Sequence, residues 1–76
     1  MGKTKWNGSK VREARLAAGL TQESVVVAMA AQGIRAAASQ VAGWEVRGVE
    51  PRASVVCGLA VAIGCPMETF FGGVSE

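Results

Sequence analysis

The sequence has no histidine, no aspartate and no tyrosine, and only two cysteines and two prolines. Each absence excludes something. Without those side chains the inventory of general acids, bases and nucleophiles is nearly empty, so no enzymatic activity is expected; Glu68 and Glu76 are surface carboxylates with no visible partner. Cys57 and Cys65 do not form a C-x-x-C pair, and no His can complete a zinc site, so neither a metal nor a cofactor is expected. Cys57 reads as a small core residue. Cys65 precedes Pro66 at a helix boundary, where partial exposure is expected, and neither thiol requires an oxidising compartment. The longest apolar stretch, "VVCGLAVAIGC", is shorter than the roughly 20 residues that span a bilayer. The start "MGKTKWNG" has no apolar segment for secretion and no Ser or Thr at position 6 for myristoylation. The expected location is therefore the cytoplasm, with no membrane partner.

What is present suits one small helical domain. The 76 residues are half apolar, and Ala, Val, Leu and Met dominate over the two Trp and two Phe. A chain this short buries a modest fraction of its surface, so its stability is marginal unless a partner adds area. The net charge is only +2. Lys3, Lys5, Lys10, Arg12 and Arg15 nevertheless fall within the first fifteen residues beside a single acid, Glu13. Such a run is either a phosphate contact or a solvated arm.

Residues 1–8 are polar, basic and glycine-bearing, and read as a flexible N-terminal arm. Ser9 is a fair N-cap for a first helix, "KVREARLAAG", which puts Val11, Ala14 and Ala18 on one face and ends at Gly19. Thr21 caps a second helix, "QESVVVAMAAQ", with Glu23 in its first turn and a stop at Gly33-Ile34. A third helix runs from about Ala37 to Val46 with a poorly marked start. Pro51 forces Glu50 out of helical geometry. A short helical piece at Arg52, a further helix from Ser54 to Gly64 and a last turn in "PMETFF" complete the pass, with Phe70 and Phe71 closing the core. The expected domain spans residues 9–71, with 72–76 a short tail.

The segments "REARLAAGLTQES", "GWEVRG" and "LAVAIGCPMETFF" together resemble the Cro/repressor type of helix-turn-helix family. The resemblance rests on Arg15, Gly19, Leu20, Thr21 and Gln22, on Trp44, Glu45 and Gly48, and on Ala62 to Cys65. It covers roughly residues 10–71 and looks like the long-turn form of actinobacterial and phage members, with "QGI" at Gln32 to Ile34. It implies an all-α bundle of about five helices, lambda-repressor-like, whose third helix enters the major groove. Val41 and Trp44 would face the core, leaving Ala38, Ser39, Gln40, Ala42 and Gly43 toward the bases. Thr21 and Gln22 would meet a phosphate at a helix N-terminus, and the residue at Gln22 donates to the backbone in the family. Lys3, Lys5, Lys10, Arg12, Arg35 and Arg47 are the remaining phosphate candidates. The family's Arg and Glu at Arg15 and Glu45 form a structural ion pair.

Two departures stand out. The base-facing residues are short: only Gln40 and Ser39 can make polar base contacts, and Ala38 and Ala42 can touch a thymine methyl. Helix two carries Val27, Ala28, Ala30 and Ala31 where relatives usually carry charge. Its apolar outer face is either tolerated exposure or a surface for a protein partner. The resemblance therefore implies a small transcriptional regulator binding double-stranded operator DNA as a homodimer, of phage or mobile-element repressor type. The alternative is a protein-interaction module on the same fold, an antirepressor or partner subunit, with weak or no sequence-specific DNA binding.

Overall fold

Capping chemistry sets where each helix begins. The computed structural model describes residues 5–72. Within them, α1 (Gly8–Ala17) starts on Asn7, whose side-chain oxygen accepts the Ser9 N–H at 3.0 Å. Ser9, the expected cap, is thus already inside the helix. The early start depends on Gly8: a Cβ there would overlap the carbonyl oxygens of Trp44 and Glu45, so only glycine lets α1 begin against the end of the third helix. Gly19, at φ 75°, turns the chain, and the Leu20 N–H closes on the Arg15 carbonyl at 3.0 Å.

Thr21 caps α2 (Gln22–Ala30), its hydroxyl oxygen accepting the Ser24 N–H at 3.0 Å. The helix stops at Ala30 rather than Gln32, and the chain leaves through Gly33 at φ 83°, with the Ile34 N–H on the Met29 carbonyl at 3.0 Å. α3 (Ala38–Val46) has no capping side chain at its first boundary, Ala37. Gln40 substitutes by reaching back, its Oε1 accepting the Ala37 N–H at 2.9 Å. α4 (Ala53–Ile63) starts directly after Arg52, with no separate helical piece before it, and ends on left-handed Gly64. A single 3-10 turn follows at Met67–Phe70. The described residues are therefore all-helical, with four α-helices and one 3-10 turn against about five helices expected. None of these helices is long and apolar enough to cross a membrane.

The core is one cluster. Val11, Val25, Met29, Val41, Leu59 and Phe70 are fully buried, with Trp44, Val56, Ala60 and Ile63 around them. The Cα radius of gyration, 11.6 Å, matches the ~11.4 Å of a compact chain of this length. α3 packs on α1 and α2, α4 on α2, and the 3-10 turn on α1 and α4. Gly58 admits Ile34 against α4, and Gln32 Nε2 donates to the Gly58 carbonyl at 3.0 Å, pinning the exit of α2 to α4.

Three expectations are corrected here. The basic arm does not extend to residue 8: from Lys5 onward the chain is part of the fold. Trp6 bridges to Phe71, Asn7 N–H donates to the Phe70 carbonyl at 2.8 Å, and Gly72 N–H donates to the Lys5 carbonyl at 3.0 Å. The Trp6 ring stacks obliquely on Phe70 and edge-on to Phe71, and its indole N–H donates to the Trp44 carbonyl at 3.0 Å. An aromatic residue with a polar handle thus ties both ends of the domain to the end of α3. Gly72 likewise belongs to the fold rather than to a tail. Cys57, expected in the core, is exposed, with its thiol 3.2 Å from the Met67 sulfur, while Cys65 is half-buried.

Candidate nucleic-acid interface

α3 is held from behind by a buried ionic clasp. Arg15 on α1 and Glu45 on α3 meet in a two-pronged pair, Nε to Oε2 at 2.7 Å and Nη2 to Oε1 at 3.1 Å, with both residues more than nine-tenths buried. Arg15 Nη1 donates to the Leu20 carbonyl at 2.9 Å, and Gln22 Nε2 donates to Glu45 Oε1 at 3.2 Å. The hydrogen bond to Glu45 holds the Arg15 guanidinium above its ordinary pKa, against the opposing effect of desolvation. Among the described residues no buried side-chain N or O is left without a partner, which matters because a half-satisfied buried charge is costly. Gln22, assigned to a phosphate and to the backbone by resemblance, instead spends its amide on Glu45. The start of α2 also offers an anion its free backbone N–H groups and the positive end of the helix dipole.

The opposite side of α3 is open. Ser39 is exposed, and Ala38 and Ala42 are half-buried. With Gly43, Val46 and Arg47, Ser39 and Ala42 line a shallow depression of about 410 Å³. Of the other expected base contacts, one borders a different groove and one is covered. Gln40 is exposed, but its carbonyl oxygen is engaged with the Ala37 N–H, and it borders a different groove. Gly43 is buried, covered by the Arg47 side chain, which folds back over it. Long side chains on a helix lean toward its N-terminus, so a residue one turn further on covers the position before it. Sequence reasoning also missed Val46, which is 77% exposed on this face.

The expected phosphate contacts divide. Arg35 is exposed at the entrance to α3 and borders a groove of about 470 Å³ between the α2–α3 and α3–α4 connections. Arg52, which the sequence reading did not assign to phosphate, borders the same groove with Gln40 and Ser54, at an α4 N-terminus that has no side-chain cap. Its signal was available, since a cation just ahead of a helix start is a phosphate-site pattern. Arg12 is exposed, and helical spacing puts it on the side of α1 that carries Gly8 and Arg15 toward α3. Lys10 lies elsewhere, bordering a hollow with Glu13, Glu68 and Thr69 beside the 3-10 turn. Lys5 is exposed, Thr21 is occupied as a cap, and Lys3 lies outside the described residues. Among the described residues no group of three or more His, Cys, Asp or Glu could hold a metal ion.

Comparisons with protein-family models, with curated proteins and with solved structures found no match.

Proposed function

We propose that this domain binds double-stranded DNA, with α2 and α3 working as a helix-turn-helix and α3 in the major groove, and that it acts as a small transcriptional regulator of the Cro/repressor type. One observation carries the reading. The Arg15–Glu45–Gln22 clasp fixes α3 by its back, while the opposite face is left uncovered with Arg47 on its depression, and Arg35 and Arg52 border the separate groove between the α2–α3 and α3–α4 connections. A rigid helix presented in this way, with cations where two phosphate backbones would pass, suits groove insertion. The residues at the face itself are short, so affinity rests mainly on phosphates.

Binding as a homodimer fits the apolar surface at the other end of the molecule. Cys57, Val61, Pro66 and Met67 border an apolar depression on α4 and the 3-10 turn, away from the face of α3. Pairing through that end leaves both copies of α3 free to reach half-sites about one helical turn apart.

The test is fluorescence anisotropy with duplex DNA from the gene's own upstream region, read against salt. Binding should weaken with a log–log slope near −2 per protomer for the two phosphate contacts of Arg35 and Arg52. Arg35→Ala and Arg52→Ala should each flatten the slope by about one and weaken all sequences alike. No binding at low salt would sink the proposal. The protein-partner reading would then take its place, favoured by one observation: Val27 on the outer face of α2 is 68% exposed beside exposed Ala30 and Ala31.

A further inference from the structure

Gly43 raises a question of its own. It lies in the interior of α3, where glycine weakens a helix by roughly 1 kcal/mol relative to alanine. Its φ is not left-handed, so no turn requires it. The three atoms nearest to where a Cβ at Gly43 would stand all belong to the Arg47 side chain, Nη2 at 3.0 Å, Nε at 3.6 Å and the guanidinium carbon at 3.7 Å. Gly43 is buried although it faces outward, with the Arg47 guanidinium lying against it. The missing Cβ is thus the space in which one long cationic side chain rests.

We infer that Arg47 is the residue that determines base specificity: lying in the depression bordered by Ser39, Ala42, Gly43 and Val46, its guanidinium reads a guanine in the major groove. This rests on the DNA-binding reading above. Its neighbours on the depression offer one hydroxyl, a methyl and an isopropyl group, and none of them can make a two-pronged contact. Arg47 reaches this face from the C-terminal boundary of α3, one turn beyond the glycine, and returns toward the middle of the helix. A planar guanidinium can match the O6 and N7 acceptors of guanine with two parallel N–H donors, whereas an ammonium would act as a point charge. Val46, exposed beside it, supplies apolar contact to a neighbouring thymine methyl. A helix with short side chains can therefore still read sequence, through a side chain supplied by the residue just past its end.

Two substitutions separate this role from a phosphate contact. Arg47→Lys keeps the charge and loses the fork. Gly43→Ala keeps the fork but displaces it, while raising helix propensity, so the variant folds. The wild type is first selected against randomised duplexes of about 20 base pairs, two helical turns. The preferred duplex and its single-base variants are then titrated against salt with wild type, Arg47→Lys, Arg47→Ala and Gly43→Ala. The expected result is a fixed guanine in the selected site. Arg47→Lys and Gly43→Ala should each lose about tenfold or more discrimination at that base pair with the salt slope unchanged. A phosphate role would leave Arg47→Lys like wild type and make Arg47→Ala flatten the slope for every sequence, which overturns the inference while DNA binding stands. Salt-dependent binding with no selected guanine also overturns it. No binding to any duplex at low salt removes the DNA reading itself, and the inference with it.

Discussion

Removing one side of the buried clasp should be among the most damaging changes this domain can suffer. Glu45→Ala deletes the acceptor of three hydrogen bonds, at 2.7 and 3.1 Å from Arg15 and 3.2 Å from Gln22. Arg15 keeps only its bond to the Leu20 carbonyl, and as it is 7% exposed, little water can replace the rest. Leaving a buried charge unpaired costs about 3–5 kcal/mol. A chain of this length has a total stability of about 4–11 kcal/mol. The variant should therefore be largely unfolded near its former melting temperature, and should be compared by urea denaturation in the cold, with the fluorescence of Trp44 and Trp6 as reporters. Arg15→Met strands the carboxylate instead and should cost a similar amount. The double replacement Arg15→Met/Glu45→Leu removes both charges and fills the space, so it should lie within about 2 kcal/mol of wild type. That large departure from additivity, the double variant costing far less than the two single ones together, is what separates a clasp from two independent contacts. The Arg15 pKa is raised, so its contribution is complete below the unfolded value and is lost only at extreme alkalinity. The penalty should therefore be the same at neutral and moderately alkaline pH. A cost below about 1 kcal/mol for Glu45→Ala, the value of a solvent-exposed pair, would refute the reasoning.

Other outcomes follow from packing and exposure. Gly8→Ala should destabilise by about 2 kcal/mol or more in urea melts, because its Cβ meets the backbone carbonyls of Trp44 and Glu45, which cannot give way. Gly58→Ala should cost less, since its Cβ meets the end of the Ile34 side chain and gains helix propensity. In protein diluted to the monomer, iodoacetamide should label exposed Cys57 before half-buried Cys65, as read by peptide mass mapping; equal rates in the monomer would contradict this placement. Burial raises the Cys65 thiol, so its contribution to stability is present below the unfolded thiol pKa and is lost as pH rises into the alkaline range. Cys65→Ser should flatten that alkaline decline.

The sequence was legible wherever a residue acts on its own neighbours. Thr21, Gly33 and Gly64 mark helix ends through hydrogen bonds within a few residues, and those ends stand within about two residues of expectation. The Arg15–Glu45 contact has no such local signal. Thirty residues separate the partners, and only the family resemblance suggested it. The misreadings have separate causes. Asn7 caps α1 through its own side chain, but that start also needs Gly8 to lie against carbonyls on α3, and no periodicity in "GSKVREARLA" reveals that. Cys57 could not be placed because "SVVCGLAVAIG" is apolar on every side, which removes the contrast from which a buried face is read. Gly43 read as an empty position because its partner, Arg47, lies one turn on and folds back.

The order of α3 comes from outside the helix. It has no side chain to cap its start, a glycine within it and two β-branched valines, so its intrinsic helicity is low. What fixes it is the clasp at Glu45, the burial of Val41 and Trp44, and the Trp6 hydrogen bond at its end. All of these act on its back. The outward face should then be free to change without loss of the fold. Ser39→Arg and Val46→Gln should shift stability by no more than about 0.5 kcal/mol, as surface substitutions do, while changing the duplex selected from a random pool. Melting temperature and selected sequence, measured on the same variants, separate the two effects. A Ser39→Arg variant that melts far below wild type would show that the exposed face is part of the fold's support. A variant that keeps both its stability and the wild-type selection would show that this face does not meet the bases.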